Sequence, residues 1–286
     1  MSWTNYHGHS KYCDGHGEIE SYIQSAIKLG MPVLGVSSHA PVPFECFWTM
    51  KPESLSNYNA ELIALQGKYE GKIKLLRSLE VDYVPKQIGP NTDYIKALQL
   101  DYIVGSIHFI KQLNNGEYWA IDGSFEEFQQ GLNEIFNGDV KAVVQEFYRL
   151  NREMIDTQDF EIVGHLDKIK MHNATEVVFN ETDQWYKNEV IETLKSIATK
   201  DLIVEINTKS LERNGLLFPG IEWFSTMCEM GIKVTINSDA HFPEKLIEGF
   251  EFVAEELLKA GYTHLSEYID GQWQQVLFTK HGIQWN

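Results

Sequence analysis

Short apolar, β-branched runs alternate with longer amphipathic ones along the chain, the pattern of β-α units built around a parallel sheet. Strands are predicted near residues 2–6, 33–38, 73–81, 101–107, 160–164, 202–207 and 232–237. Helices are predicted near 18–30, 54–70, 124–136, 139–157, 183–199, 220–230 and 245–259. The first helix shows the logic: Ile19, Ile23, Ala26 and Ile27 recur at helical spacing, and Gly30 and Pro32 then stop it. The end of the chain departs from the alternation. HLSEYIDGQWQQVLF reads as two short strands about Asp270-Gly271, a hairpin signal, and predicts an appendage that closes one side or end. No low-complexity linker or internal repeat interrupts the run, so residues 1–286 are expected to form one α/β domain, a TIM-like barrel of seven β-α units.

Composition narrows the partners. Hydrophobic residues make up 43% of the 286 positions, enough for a sizeable core, while 24 Lys plus Arg against 41 Asp plus Glu leave a net charge of −17. A duplex-binding surface needs a basic footprint, and no Lys/Arg cluster supplies one, so nucleic acid is not an expected partner. Cys13, Cys46 and Cys228 are odd in number and widely spaced, which argues against a disulfide framework and for a reducing compartment. No basic-then-apolar leader precedes His7, and no apolar run approaches the ~20 residues that cross a bilayer. A soluble cytoplasmic protein without a membrane partner is expected.

The chemistry lies where the apolar runs stop. Seven of the ten histidines, one glutamate and one aspartate occupy such positions: His7, His9 and His16 in YHGHSKYCDGH, His39 after VLGVSS, Glu80 in LLRSLEV, His108 after DYIVGSI, His165 after FEIVG, and Asp239 with His241 in INSDAH. In a parallel barrel these ends share one face, so side chains that favour divalent metals are delivered to one place. His7 and His9, two apart on a strand, point the same way and can grip one ion together. Glu80 stands in an apolar run where an unpaired carboxylate is costly, a difficulty that a bridging position between two cations removes. Asp14 beside His16 is a further acceptor or acid. Phe44, Phe47 and Trp48 follow His39 and either wall a substrate ring or pack over a barrel end. Cys13 lacks a CxxC partner and reads as a small buried thiol. His172, His264 and His281 lack a strand-end position and read as ordinary histidines.

HxH with a following DGH, then VSSHA, SLEVD, GSIH, GHLD and NSDAH, in that order, resemble the motifs of the polymerase and histidinol phosphatase (PHP) family. The match runs from His7 to His241. Through GHLDKIK, the EINT stretch and its length, the chain is most similar to the histidinol-phosphate phosphatase branch. The resemblance implies a distorted (β/α)7 barrel and three divalent ions, with zinc, iron and manganese all suited to so imidazole-rich a site. It places His7, His9, Glu80 and Asp239 on the first ion, Glu80, His108 and His165 on the second, and His16, His39 and His241 on the third. It further implies hydrolysis of a small phosphate ester, first of all L-histidinol phosphate, by a metal-bridging hydroxide. Asp239, Asp14 or a metal-held water is the proton donor, and Lys170 and Arg213, with Lys168 behind them, are the expected phosphate contacts. One departure stands out. The branch commonly has Thr-Ser-Gly-Leu-Arg after its strand-six Asn, whereas this chain reads Thr208-Lys209-Ser210-Leu211-Glu212-Arg213. Against this reading stand a phosphodiesterase or nucleotide hydrolase of the same family, which needs a basic or base-stacking groove, and a noncatalytic metal-binding regulatory module, which is expected to have lost ligands.

Overall fold

The structure, a computed structural model, describes residues 2–285. Its first half runs α1 (Ile19–Lys28), β1 (Val33–Val36), α2 (Leu55–Lys68), β2 (Lys74–Arg77), β3 (Glu80–Asp82), α3 (Asp93–Lys96), β4 (Val104–Ser106), β5 (Phe109–Gln112), β6 (Tyr118–Ala120), α4 (Phe125–Phe136) and α5 (Val140–Thr157). The second half runs β7 (Ile162–Val163), α6 (Gln184–Lys200), β8 (Ile203–Asn207), α7 (Leu211–Asn214), α8 (Phe224–Glu229), β9 (Lys233–Asn237), α9 (Phe250–Lys259), β10 (His264–Ile269), β11 (Gln272–Thr279) and β12 (Gly282–Ile283). Each long helix predicted from spacing is present. The α4 N-terminus owes its sharpness to a reciprocal capping box between Ser124 and Glu127.

β3, β4, β7, β8 and β9 form one parallel sheet in that order, and β1 and β2 form a parallel pair. Single bridges join these pieces: His39 to Glu80, Asn5 to Leu34, and Gly8 to Ala240. The predicted first strand is therefore bridged to a neighbour on each side without forming a regular ladder. Side chains take over part of the pairing: the Asn237 Oδ1 accepts from the Tyr6 amide at 2.9 Å, and the Ser37 Oγ from the Gly8 amide at 3.1 Å. The predicted strand 73–81 is broken into β2 and β3. The Tyr58 hydroxyl fills the break, 2.8 Å from the Ser78 carbonyl, while accepting from the Ser38 amide at 3.3 Å.

Two apolar masses flank the strands, one against α1 and α2, the other against α4 to α9. A third cluster lies among the strands themselves, built from Tyr6, Val33, Leu76, Val104, Ile162 and Ile203, and Tyr268 and Trp273 of the appendage pack against it. The hairpin about Asp270-Gly271 is present, with β10 and β11 in register from His264–Leu277 to Ile269–Gln272. A second hairpin, β5 with β6, was not predicted, although Asn115-Gly116 marks its turn and Gly116 has φ +89°.

The appendage is pinned to the first strand by a buried acid. Glu267 is 1% exposed, and its Oε2 accepts from Thr4 Oγ1 and the Tyr6 hydroxyl, each at 2.7 Å. Burial pushes its pKa up to about 8, against which the two hydrogen bonds act only in part. The native state thus keeps a proton that the unfolded chain releases near pH 4.3. Stability from this group is full below that value and falls as pH rises through about 8, a swing of up to about 5 kcal/mol. Glu267→Gln keeps an oxygen for both donors and removes the titration. Urea midpoints at pH 5 and pH 8.5 should converge on the wild type at the lower value and exceed it at the higher; parallel profiles would refute a proton held at Glu267.

Candidate metal centre

The ends of the parallel strands turn their side chains into one buried cluster. His7, His9, His39, Glu80, His108, His165 and Asp239 are each 5% exposed or less. His9 Nε2 lies 3.2 Å from His7 Nε2 and 2.8 Å from Asp239 Oδ1. Glu80 sits at the middle: its Oε1 is 2.8 Å from His165 Nε2 and 3.7 Å from His108 Nε2, while its Oε2 is 3.1 Å from His7 Nε2 and 3.0 Å from His39 Nδ1. Two backbones bend sharply to aim these groups, His165 at φ +22° and Asp239 at φ +47°, conformations that non-glycine residues adopt at a cost of roughly 1–3 kcal/mol. Gly164 is required just before the first of them. A Cβ there would stand 2.4 Å from the Ser106 hydroxyl, which itself donates to Glu80 Oε1 at 2.7 Å.

A layer of acceptors and donors fixes the rings. His7 Nδ1 donates to Glu205 Oε2 at 2.7 Å, and Glu205 also accepts from the His165 amide and the Asn207 and Asn237 side chains. Asp82 Oδ1 accepts from the amide and the Nδ1 of His108, at 3.0 and 2.9 Å. In both cases Nε2 is left with its lone pair facing the cluster, the arrangement found behind metal-ligating histidines. Burial alone would raise the pKa of Glu80, but the His39, His7 and His108 imidazoles and the His165 hydrogen bond hold it well below the carboxylate range. Asp239 follows the same pattern, with burial outweighed by Lys209, His7 and His9.

The donor set fits divalent cations. Ligand atoms of His9, Asp14, His39 and His241 lie within 4.8 Å of one another, as do those of His7, His9 and Asp239, and those of His39, Glu80 and His108. Asp14 Oδ1, His39 Nδ1 and Glu80 Oε2 are buried without a hydrogen-bond partner. Three orphaned buried atoms in one cluster are a heavy penalty unless a cation satisfies them.

Two sequence expectations need correction. His16 is exposed and lies outside all three groups, its ring stacked on Phe242 at 4.4 Å. The tight turn through Gly15 sends Asp14 inward instead, 3.1 Å from His241 Nε2. The cations expected to contact phosphate are also placed otherwise. Lys170 is buried away from the cleft, with Nζ 2.7 Å from Asp167 and 3.6 Å from Glu222, and Arg213 is exposed on α7 and does not line the cleft. Lys168 and Lys209 are the cationic side chains that do. Lys168 Nζ lies 2.9 Å from Asp122 Oδ2 and 3.3 Å from His108 Nε2. Cys13 stays a thiol, its pKa pushed to about 11 by burial and the neighbouring Asp14. His172 spends its Nε2 on the Ile121 carbonyl at 2.8 Å, among ordinary core contacts.

The cleft over the cluster holds about 650 Å³. Asp14, His39, Asp239 and the two lysines line it together with Phe47, Trp48 and the unpredicted β5–β6 hairpin. Trp48 stacks on Phe109 at 5.2 Å and meets the His39 ring edge-on, and Phe44 stacks on Tyr118 at 4.0 Å, so Phe44 packs the wall while Phe47, 97% exposed, overhangs the opening. Glu45, Glu117 and Glu127 add carboxylates to the lining.

This chain is 27% identical to the "Probable histidinol-phosphatase" of Deinococcus radiodurans over 251 residues, 86% of this chain and 88% of that one. It is 23% identical to the histidinol-phosphatase of Lactococcus lactis over 283 residues, 94% and 95% of the two chains. The crystal structure of histidinol phosphate phosphatase from Lactococcus lactis, complexed with zinc, L-histidinol and phosphate, has the same fold, with a TM-score of 0.72 at 18% identity over 99% of each chain. The family model described as the PHP domain matches residues 5–209, from the bridged segment that carries His7 to the loop that carries Lys209, and the chain belongs to that family.

Proposed function

We propose that this chain is a metal-dependent phosphomonoesterase that hydrolyses L-histidinol phosphate to L-histidinol and phosphate. The observation that carries the reading is one cleft whose lining joins a cation-binding cluster and two lysines to the exposed carboxylates of Glu45, Glu117 and Glu127. A phosphate group suits the cluster and the lysines. A leaving group bearing an amine and an imidazole suits Glu45, Glu117 and Glu127, which would repel the negatively charged flanks of a phosphodiester chain. The crystallised relative from Lactococcus lactis, with its zinc, L-histidinol and phosphate, and the names of the curated relatives support the same substrate.

We further read the circuit of bridged strands as a distorted (β/α)7 barrel, the chain as one catalytic domain, and the site as trinuclear. His7, His9, Glu80 and Asp239 would hold one cation, Glu80, His108 and His165 a second, and His39, His241 and Asp14, in the position first expected for His16, a third. Divalent cations there would acidify water at neutral pH and offset charge on phosphoryl oxygens. The chain's own groups do the rest. Glu205 and Asp82 keep the ligating lone pairs of His7 and His108 aimed at the cluster, and Lys168 offers its ammonium to a phosphate oxygen beside His108. Trp48 and Phe109 wall one side against water. Among the described residues no helix is long and apolar enough to cross a membrane, and a cytoplasmic biosynthetic role agrees with that.

Metal-reconstituted protein assayed against histidinol phosphate, other phosphomonoesters and a phosphodiester should turn over histidinol phosphate with the highest kcat/KM; turnover confined to diesters overturns the proposal. Glu80→Gln should lose bound metal and activity together, read by elemental analysis and phosphate release, and full activity in a metal-stripped variant would contradict the mechanism. Glu205→Gln, which no longer accepts a charge-assisted bond from His7, should weaken metal affinity or activity by roughly 10–100-fold, with the fold retained by circular dichroism.

A further inference from the structure

The segment that carries His7 and His9 has no regular ladder to hold it. It meets its neighbours at two single bridges, Asn5 to Leu34 and Gly8 to Ala240, so bonds between the bridges decide where its rings stand. Tyr6, fully buried beside His7, uses every polar atom it has. Its amide donates to Asn237 Oδ1 at 2.9 Å and its carbonyl accepts from the Tyr102 hydroxyl. Its own hydroxyl donates to Glu267 Oε2 at 2.7 Å and accepts from the Tyr268 amide at 2.9 Å. Two of these four bonds come from the appendage hairpin, and Trp273 of β11 adds an edge-on ring contact at 4.9 Å. That hairpin lies beyond residue 209, where the family match ends, and Glu267 stands 261 residues from Tyr6 in the chain.

Resting on the phosphomonoesterase reading for its consequence, we propose that Glu267 is a positioning residue for the reaction, acting through Tyr6 on the segment His7-Gly8-His9. Among the described residues no cation pairs with Glu267. Thr4 and Tyr6 meet it from the first segment, and uncharged Gln274 stands opposite it on β11. On β9, which packs against β10, Lys233 is turned to exposed Asp201 at 2.6 Å, and Lys74 of β2 lies over the Tyr268 ring, 5.7 Å from its centroid. Burial and Glu267 hold the Tyr6 phenol well above its usual range, so it stays a donor. A neutral Glu267 fits between the hairpin and the first segment, whereas an ionised one must draw water into that contact. Water there parts Tyr6 from Glu267 and Tyr268 together, and Tyr6 passes the displacement one residue on, to His7. A shift of about 1 Å in a group at the reacting centre can cost roughly 100-fold in rate.

Two measurements on the full chain test this. In the metal-free protein, amide hydrogen exchange is followed in residues 3–9 and 264–278 from pH 6 to pH 9, with the intrinsic pH dependence of exchange removed. Wild-type protection in both segments should fall roughly tenfold per pH unit up to about pH 8 and then level, as one proton is lost on opening. α5 and α6 should show no such slope, and Glu267→Gln should abolish it. A slope absent from the wild type, spread evenly over the chain, or kept by Glu267→Gln overturns the assignment. In zinc-loaded protein, the kcat of the wild type relative to Glu267→Gln should be near one at pH 6.5 and fall severalfold by pH 9, with KM unchanged. Tyr6→Phe, which keeps the ring and loses the hydroxyl, should lower kcat at pH 6.5 without changing KM. A flat ratio, or a Tyr6→Phe kcat equal to the wild type, also overturns it. A wild type that cleaves histidinol phosphate without the exchange slope removes this inference alone. A wild type that shows the slope but cleaves no phosphomonoester removes the functional reading, and the link from Glu267 to the His7 segment stands.

Discussion

Everything in this molecule is arranged around a carboxylate that has no business in an apolar strand. Glu80 is 1% exposed, and one of its oxygens has no hydrogen-bond partner although five imidazoles surround it. Isolated burial of such a charge costs several kcal/mol, so the strands can carry it only because their neighbours deliver compensating groups to the same point. That requirement fixes the register. Glu80 pairs with His39 on one side and Val104 on the other, and from the same neighbouring strand end Ser106 reaches back to its carboxylate at 2.7 Å and His108 at 3.7 Å.

The compensation extends outward by one layer. Glu205 and Asp82 are themselves buried acids, and each holds an imidazole so that the opposite nitrogen faces inward. Glu205 also accepts from the His165 amide, so one carboxylate fixes both a ring and the strained backbone that aims another ligand. The left-handed turns at His165 and Asp239 follow from the same demand. A strand leaving the sheet straight would carry those side chains past the cluster, and the hydrogen bonds behind them offset the conformational cost.

Much of this was legible in the sequence because ligands fall where apolar runs stop, and strand ends are a feature that hydrophobic periodicity marks well. His7, His9, His39, Glu80, His108, His165, Asp239 and His241 are brought together as expected from that signal. Glu205 and Asp82 escaped notice because an acid within or just after a strand looks the same in sequence whether it faces solvent, a lysine or the back of a histidine. The exchange of His16 for Asp14 turns on the path of a short loop, where spacing does not say which side chain points inward. Lys170, Arg213 and Lys209 failed to sort for a related reason: long cationic side chains reach about as far as the uncertainty in a predicted element boundary. The β5–β6 hairpin carried its own mark, Asn115-Gly116, hidden between two stronger strand and helix signals.

The polarity of the cleft follows from where those unpredicted pieces fall. A chain with a net charge of −17 presents a repulsive field to any phosphate ester at long range. Screening by salt shortens that field to about 8–10 Å, and within this distance the cleft presents Lys168, Lys209 and the cation-binding cluster, with exposed Glu117 on the hairpin and Glu45 in the loop after His39. An ester with a cationic leaving group gains from both kinds of group in such a cleft, and one with an anionic leaving group gains only from the cationic ones. On the proposed function, selectivity among phosphate esters would be set less by the ligand cluster, which would take any phosphoryl group, than by the exposed carboxylates around it, of which the hairpin carries Glu117. That element carries Glu117 and Phe109 into the lining directly after His108, so the hairpin that shapes the cleft is continuous with one of the clustered histidines.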